Sequence, residues 1–327
     1  MAKRKIRLGL IGCGNNMRYA HVPRFKADRA VELAAVVDTA EPPARALMEA
    51  WGRDVPYYSD FKKMIRDERL DAVCVSSPHS EHYPQVRHVL ANNLHALVEK
   101  PLTTRSSHAR ALIDLARRKR RALVVSYQRH FFRPYVYVRE LIRRGAIGEL
   151  RGVVSYVTQD WSAAGGWRLV PELSGGGMFM DTGSHLVAAT LWMTGLQAVD
   201  VSAYLDMAGG NVDINLVTTV RFAGGALGTL NSFGNAAQHD ERIAIHGSKG
   251  SIVFELYKFQ VRSVQLNGAP LIVPARIKED TPDASLLRWI RNGRKGYELP
   301  NFAVQVAKVS EAVYKSVEQK RLVRMAR

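Results

Sequence analysis

Three short stretches hold residue types whose spacing can do chemistry. The first is Gly9-Leu10-Ile11-Gly12-Cys13-Gly14-Asn15-Asn16-Met17, an apolar run that ends in a glycine-rich turn. Gly12 and Gly14 permit a tight turn and a close backbone approach to a pyrophosphate, which the N-terminus of a following helix would bind. The second is Val98-Glu99-Lys100-Pro101-Leu102, which sets a lysine at the end of the apolar run Leu94 to Val98. Proline cannot continue a sheet ladder and restricts the residue before it, so Lys100 is held at a fixed exit. In the third, Ser174-Gly175-Gly176-Gly177-Met178-Phe179-Met180-Asp181-Thr182-Gly183-Ser184-His185, the glycines would let backbone approach a ligand, and Asp181 and His185 stand i, i+4 on one helical face. A carboxylate beside an imidazole fixes its orientation and raises its basicity, as a general base near neutral pH requires. An Asp–His pair that only anchors a helix has the same spacing, and most strand-end lysines are surface groups. The elements that carry these residues therefore decide their meaning.

The first half reads as strands alternating with helices. Ile6 to Ile11 runs into the glycine turn, a helix-compatible stretch bent by Pro23 reaches about Lys26, and Val31 to Val37 ends in Asp38. This βαβ unit, with an acid closing its second strand, has the form of a dinucleotide fold. Asp38 would accept hydrogen bonds from the adenosine ribose and repel a 2′-phosphate, so NAD is expected ahead of NADP. The third glycine of the usual pattern falls on Met17, so the turn must be wider or carry an extra residue. Helices over Pro43 to Trp51, Asp60 to Arg66, Glu81 to Asn92 and Arg105 to Arg118 alternate with strands at Leu70 to Ser76, Leu94 to Val98 and Ala122 to Ser126. The expectation is a doubly wound parallel sheet over residues 1–126. Ligands bind such sheets at the carboxyl ends of the strands. The loop Ser76 to His82 leaves a strand there and should border the nicotinamide half of the site, with His79 and His82 as further site groups or as part of a plain capping loop.

Residues 127–327 have another texture. Tyr135 to Arg144 is helical, and strands follow at Leu150 to Trp161, Ala198 to Asp206, Asn215 to Phe222, Ala226 to Ser232, Arg242 to His246, Ser251 to Glu255, Gln260 to Leu266 and Leu271 to Val273. Few helices separate them, so an α+β domain with a large, mostly antiparallel sheet is expected. Helices over Ser285 to Arg291 and Phe302 to Gln319 would cover it. Asp160, Trp161, Trp167 and Arg168 precede the glycine block, and His239 precedes a strand. They are candidates for a pocket wall: aromatic faces suit sugar rings, and Arg168 can take a carboxylate or phosphate bidentately.

The chain of 327 residues carries Lys+Arg 47 against Asp+Glu 30, a net charge of +17. Polyanions become conceivable partners. The basic residues are dispersed, however, and the densest run, Arg117 to Arg121, closes a helix where cations complement the dipole. No recognition-helix, zinc-finger or aromatic–basic motif accompanies them, which speaks against nucleic acid. No apolar segment reaches the ~18 residues of a membrane span. Cys13 and Cys74 have neither disulfide-framework nor metal-ligand spacing, so no metal is expected. Met1-Ala2-Lys3 opens a start without a signal-peptide core, and a cytoplasmic protein is the plain expectation.

Taken together, the early glycine turn, Glu99-Lys100-Pro101 and the block from the three glycines through Asp181 and His185 to Trp192 and Gly195 resemble the glucose–fructose oxidoreductase/inositol dehydrogenase (Gfo/Idh/MocA) family across essentially the whole chain. Tyr127-Gln128-Arg129 and the His246 to Gly250 turn are similar as well. The chain departs from the family pattern at Met17, and at His79 and Gln128, where the family often carries asparagine. The resemblance implies NAD(P)-dependent oxidation of a secondary hydroxyl on a sugar or cyclic polyol. By position, Lys100 polarises the reacting oxygen and relays its proton, His185 is the general base, and Asp181 orients it. The cofactor would lie along Gly12, Gly14, Asn15, Asn16, Met17, Asp38, Ser76, Pro78, His82, Glu99, Lys100 and Gln128. Lys100, Asp181 and His185 would also touch substrate. A homodimer or homotetramer through the C-terminal sheet is implied too. Two other readings remain beside the dehydrogenase: a redox-neutral, glycoside-cleaving enzyme with bound NAD, and a non-catalytic NAD-binding sensor.

Overall fold

The computed structural model describes residues 4–293 and 298–325. The Met1-Ala2-Lys3 start, read above for the lack of a leader, lies outside the described residues. The chain forms two compact units: Met1–Thr103 with Ser107–Ser126 and Thr281–Asn301, and Thr104–Ser106 with Tyr127–Asp280 and Phe302–Arg327.

The first unit is built on a parallel sheet of β1 (Ile6–Ile11), β2 (Val31–Val37), β3 (Tyr57–Tyr58), β4 (Ala72–Val75), β5 (His95–Val98) and β6 (Leu123–Val125), in the order β3-β2-β1-β4-β5-β6. Its central strands are short continuous apolar runs, and β4 and β5 are buried at every residue. That is the pattern of strands covered on both faces. The covering helices are α1 (Val22–Lys26), α2 (Glu41–Trp51), α3 (Phe61–Asp67), α4 (His79–Ala91) and α5 (Ser106–Lys119). The strand order reverses between β1 and β4, so the carboxyl ends of these two strands form the crevice where such sheets bind ligands.

Among its described residues the second unit holds nine strands: β7 (Leu150–Asp160), β8 (Ala198–Asp206), β9 (Asn215–Phe222), β10 (Leu227–Phe233), β11 (Asn235–Gly247), β12 (Gly250–Tyr257), β13 (Gln260–Leu266), β14 (Ala269–Pro270) and β15 (Val323–Arg324). They are ordered β14-β13-β12-β11-β7-β10-β9-β8-β15. Every described pairing is antiparallel except that of β7 with β10. Four helices belong to this unit and its chain neighbours: α6 (Arg133–Arg143), the short α7 (Pro171–Ser174), α8 (Ser184–Thr194) and, past the return segment, α10 (Phe302–Gln319). The return segment carries α9 (Pro282–Asn292), so α10 is the last helix. Buried almost all round, α8 packs against α6, α10 and β7, which explains an apolar sequence without a polar stripe.

In β9 the alternation is clean: Leu216, Thr218, Val220 and Phe222 point inward, while Val217, Thr219 and Arg221 are open. The open face of the sheet is partly apolar, with Val154, Val217, Leu227 and Tyr204 exposed, and Leu322 exposed beside it. Val154, Ser202, Thr219, Leu227 and Leu322 line a shallow depression of about 470 Å³.

The expected strand at Leu271 to Val273 is displaced to β14, and the expected Arg242 to His246 is the end of the longer β11. The helix expected at Ser285 to Arg291 to cover the antiparallel sheet is α9, and it packs on β5 and β6 of the first unit. Its Trp289 ring meets His95 edge-on at 4.7 Å. No helix among the described residues is long and apolar enough to cross a membrane.

The glycine block is fixed in the second unit by a buried carboxylate. Asp213 accepts hydrogen bonds from the backbone N–H of Gly177 at 2.7 Å and of Phe179 at 2.8 Å, and from the Tyr314 hydroxyl at 2.8 Å. Asp213→Ala leaves three buried donors without an acceptor and is expected to destabilise this unit by about 3 kcal/mol or more. Denaturant unfolding followed through the tryptophans checks this, and a loss below about 1 kcal/mol would contradict the buried clamp.

Candidate functional site

The first unit's crevice begins at the glycine turn. Gly12 has φ +83°, and a Cβ there would stand 2.5 Å from the Ser76 carbonyl oxygen, so the close approach of the β1 and β4 exits admits only glycine. The Asp38 carboxylate, at the end of β2, accepts from Cys13 N at 2.8 Å and from Ala40 N at 3.1 Å, which ties the turn to the second strand. Burial and the adjacent Asp38 charge push the Cys13 thiol up to about 12, leaving it inert. Residues Met17–His21 form a π turn that leads into α1, with Pro23 in the first turn of α1. A π turn is wider than an α turn by one residue, and it carries the Met17 side chain fully into the core where the usual pattern has glycine. Met17 thus has only its backbone to offer a cofactor. Asn15 accepts from Arg18 at 2.5 Å, and Asn16 lies 3.4 Å from the Ser76 hydroxyl. At Gly14 a Cβ would meet no atom within 4 Å. Packing does not demand glycine there, and the space suits a pyrophosphate, so the turn fits a dinucleotide.

The β4 and β5 exits are bound to each other. His82 is fully buried, with Nδ1 2.7 Å from the Pro101 carbonyl and Nε2 3.0 Å from the Ser77 carbonyl. Burial lowers its pKa. It contributes to the crevice by joining the two loops, while Pro78, in extended conformation, starts α4. His79 is buried beside it, the ring centroids 5.8 Å apart. Glu99 and Lys100 follow β5 directly. Lys100 is partly open, its peptide to Pro101 is cis, and its backbone N–H donates to Glu99 Oε2 at 3.1 Å. Glu99 is buried, and burial alone would raise its pKa. Hydrogen bonding to His21 and the charges of His21 and Lys100 outweigh this and hold it well below the usual carboxylate range.

The second unit places its candidates on the entry to α8. Residues Phe179–Gly183 form a second π turn ahead of the helix, so Asp181 is on the π turn and His185 on the first turn of α8. His185 is partly open among residues that are otherwise buried from Phe179 to Leu191. Its ring meets Tyr127 edge-on at 5.8 Å. Asp181 accepts from Arg168 Nε at 3.1 Å, and the Arg168 guanidinium also lies over the Trp167 ring at 4.6 Å. Trp167, Arg168 and Asp181 are therefore brought together. Trp161, expected on the pocket wall, is instead packed into the core with Val157, Met178 and Ile214, because it closes β7 under the sheet. Asp160 is exposed and accepts from Ser162 N at 2.9 Å, a local turn. His239 sits edge-on to Phe259 at 4.2 Å, and Gln128 opens a short helical turn after β6. The three glycines are also corrected by the structure. Cβ atoms on Gly175, Gly176 and Gly177 would collide with Thr104, with the Tyr314 hydroxyl and with the Asp213 backbone, so these glycines serve packing within the protein rather than the approach of a ligand.

Two site-edge residues escape sequence reasoning. His21 is fully buried between Glu99 and Asp283, and Asp283 is contributed by α9, 262 residues further along the chain. A histidine closing the helix of the glycine turn was a visible signal. For Asp283 the local pattern Thr281-Pro282-Asp283 reads only as a helix start, where Thr281 caps Ala284.

Comparison with known proteins agrees with this geometry. Residues 6–127 match the oxidoreductase family with NAD-binding Rossmann fold, and residues 135–253 match the GFO/IDH/MocA C-terminal domain. The rhizopine catabolism protein MocA of Rhizobium meliloti is 31% identical over 191 residues, 58% of either chain. D-glucoside 3-dehydrogenase of Escherichia coli is 29% identical over 201 residues, 61% of this chain and 57% of that one. The matched part thus spans somewhat over half the length of these curated relatives. Among solved structures, the WlbA dehydrogenase from Bordetella pertussis in complex with NADH and UDP-GlcNAcA superposes with a TM-score of 0.84 at 23% identity, covering 100% of this chain and 99% of that one. At that identity the likeness is one of fold.

The two turn glycines make separable predictions. Gly12→Ala must displace the Ser76 backbone and is expected to lower the melting temperature together with NADH affinity. Gly14→Ala should leave melting unchanged and weaken NADH about tenfold or more, ~1.4 kcal/mol. Calorimetric titration beside thermal melting checks both, and unchanged affinity in Gly14→Ala would place the pyrophosphate elsewhere.

Proposed function

Because the chain belongs to the GFO/IDH/MocA family of oxidoreductases, we propose that it moves a hydride between NAD and a secondary alcohol or ketone of a sugar, sugar derivative or cyclic polyol. The observation that carries this reading is Lys100, partly open at the carboxyl edge beyond β5, in a unit whose glycine turn leaves room at Gly14. The names of similar proteins, a D-glucoside 3-dehydrogenase among them, support the substrate class. The backbone of the Gly12 to Asn16 turn would hold the pyrophosphate, and Asp38 the adenosine ribose, with NAD preferred to NADP because the carboxylate repels a 2′-phosphate. Bound NAD supplies the hydride acceptor.

The residues of the chain do the rest. A hydroxyl must lose its proton as hydride leaves, so a cation and a base are both required at that oxygen. Lys100 polarises the oxygen and relays the proton. His185 takes the proton as general base, and Asp181 orients His185 or balances its charge. We also infer a homodimer or homotetramer through the open face of the second unit's sheet. Exposure of Tyr204, Leu227 and Val154 supports this, because a monomer gains nothing from apolar side chains in water.

Titration calorimetry with NADH and NADPH should show preference for NADH, and a sugar and polyol panel read at the nicotinamide absorbance should identify a substrate. Lys100→Met is expected to lower kcat about a hundredfold or more while NADH still binds. Turnover unchanged in this variant would refute the assignment, and product formed without net NADH would shift the reading to a redox-neutral reaction. Leu227→Asp should reduce the sedimentation coefficient to that of a monomer, and an unaltered coefficient would exclude the sheet face as the interface.

A further inference from the structure

Beneath the β4 and β5 exits lies a row of ionisable groups that ends at Lys100. His21 ends the π turn after the glycine motif, and its ring is fully buried. Its Nδ1 is 2.6 Å from Asp283 Oδ1, and its Nε2 is 3.0 Å from Glu99 Oε1. The second oxygen of Asp283 accepts from Arg24 Nη1 at 3.1 Å. The second oxygen of Glu99 accepts from the Lys100 backbone N–H at 3.1 Å. The four links form one chain, Arg24–Asp283–His21–Glu99–Lys100, and all its members belong to the first unit.

A neutral imidazole has one donor, whereas both ring nitrogens here face carboxylate oxygens. Only the imidazolium satisfies both partners. A neutral ring would leave one buried oxygen, Asp283 Oδ1 or Glu99 Oε1, facing a nitrogen lone pair, with the cost of an unsatisfied buried acceptor. The neighbouring groups point the same way. Burial alone would lower the His21 pKa, but the Cys74 sulfur and the Asp283 carboxylate raise it well above the ordinary histidine value. The Cys74 thiol itself is pushed up by burial, so the two carboxylates are the charges that matter. Two anions and the imidazolium, with Arg24 at the outer end, nearly balance.

We propose that His21, bridged between Asp283 and Glu99, is the positioning residue for Lys100. Glu99 can clamp the Lys100 backbone with one oxygen only while its other oxygen is held, and His21 holds it from a point anchored in a different helix. The bridge links three elements: the π turn of the cofactor motif, the exit of β5 and the start of α9. Catalytic placement of Lys100 would thereby be coupled to the turn that binds the cofactor. This inference rests on the reading of Lys100 as the polarising cation.

The experiment uses the full-length protein with NADH as probe, and it compares His21→Gln, Asp283→Asn and Lys100→Met. In wild-type protein labelled at histidine, the His21 ring nitrogens should both remain protonated at pH 7, above the ordinary histidine value. In protein labelled at lysine, the Lys100 side-chain resonance is identified by its loss in Lys100→Met. His21→Gln can serve one carboxylate but not two, so its Lys100 resonance should move towards that of solvent-exposed lysines while NADH affinity changes by less than about threefold. With the substrate identified by the panel, kcat should fall about tenfold or more in His21→Gln with KM little changed, and Asp283→Asn should follow in the same direction. A neutral His21 at pH 7, or a Lys100 resonance and kcat unchanged in His21→Gln and Asp283→Asn, overturns the proposal. Full turnover in Lys100→Met overturns the catalytic reading beneath it instead, whatever the His21 variants do. The bridge also has a stability signature. A histidine whose folded pKa is raised stabilises fully below its unfolded value near 6.5 and loses that contribution as pH rises through the folded value. Wild-type melting should therefore decline on the alkaline side more steeply than that of His21→Gln.

Discussion

A parallel sheet buried on both faces must release all its strands at one edge, and the chemistry of the first unit depends on that constraint. From Leu8, Ala72 and Ala96 to their carboxyl ends, β1, β4 and β5 carry no charged or hydrogen-bonding side chain other than the Cys74 thiol. Each therefore changes character abruptly at its last residue: Gly12 after β1, Ser76 after β4, Glu99 and Lys100 after β5. Because β1 pairs with β4 and β4 with β5 in register, these residues arrive at the same level. The exits are then crowded, and the crowding has two solutions. Where backbone meets backbone, at Gly12 and Ser76, only glycine fits. Where polar side chains meet, they pair with each other and with carbonyl oxygens, as His82 does with Ser77 and Pro101.

Glycine has a different cause at each position, and the causes have different functional weight. Gly12 is compelled by its neighbour across the sheet, and the block Gly175 to Gly177 by side chains and backbone of its own unit. Gly14 is compelled by nothing in the protein. A glycine that packing requires reports on folding, whereas one facing open space reports on what must approach it. The sequence motif presents all of these alike, and only the space around each Cβ separates them.

The architecture was legible because both hydrophobic periods are strong. Continuous apolar strands alternating with helices announced the parallel sheet, and successive strands with few helices between them announced the mostly antiparallel one. The two-residue strands β3 and β15 were not legible, since two residues carry no period. The departure at Met17 was visible, and the π turn is its physical resolution. The placement of α9 was hidden for another reason. Its amphipathic pattern tells that a face is buried but not against which sheet, and its return to the first unit is decided by partners such as His95 and His21 far along the chain. Sequence named Glu99 and Lys100 but could not pair them with His21 and Asp283, because a long-range ion bridge leaves no spacing to read.

The pairing of Arg168 with Asp181 bears on the kind of substrate the second unit suits. Read separately, Arg168 is an anchor for a carboxylate or phosphate and Asp181 is a partner for a base. Read together, they are one ion pair at 3.1 Å, with Trp167 covering the guanidinium. An anion brought to Arg168 would come within a few ångströms of the Asp181 carboxylate. Two like charges at about 4 Å repel by roughly 1 to 4 kcal/mol between water-like and near-surface conditions, which offsets much of the attraction offered by the arginine. A neutral hydroxyl meets no such opposition, since it can donate to Asp181 and accept from Arg168 at once. The pair therefore favours the uncharged, hydroxyl-rich ring of a sugar or polyol over an acidic substituent at this point.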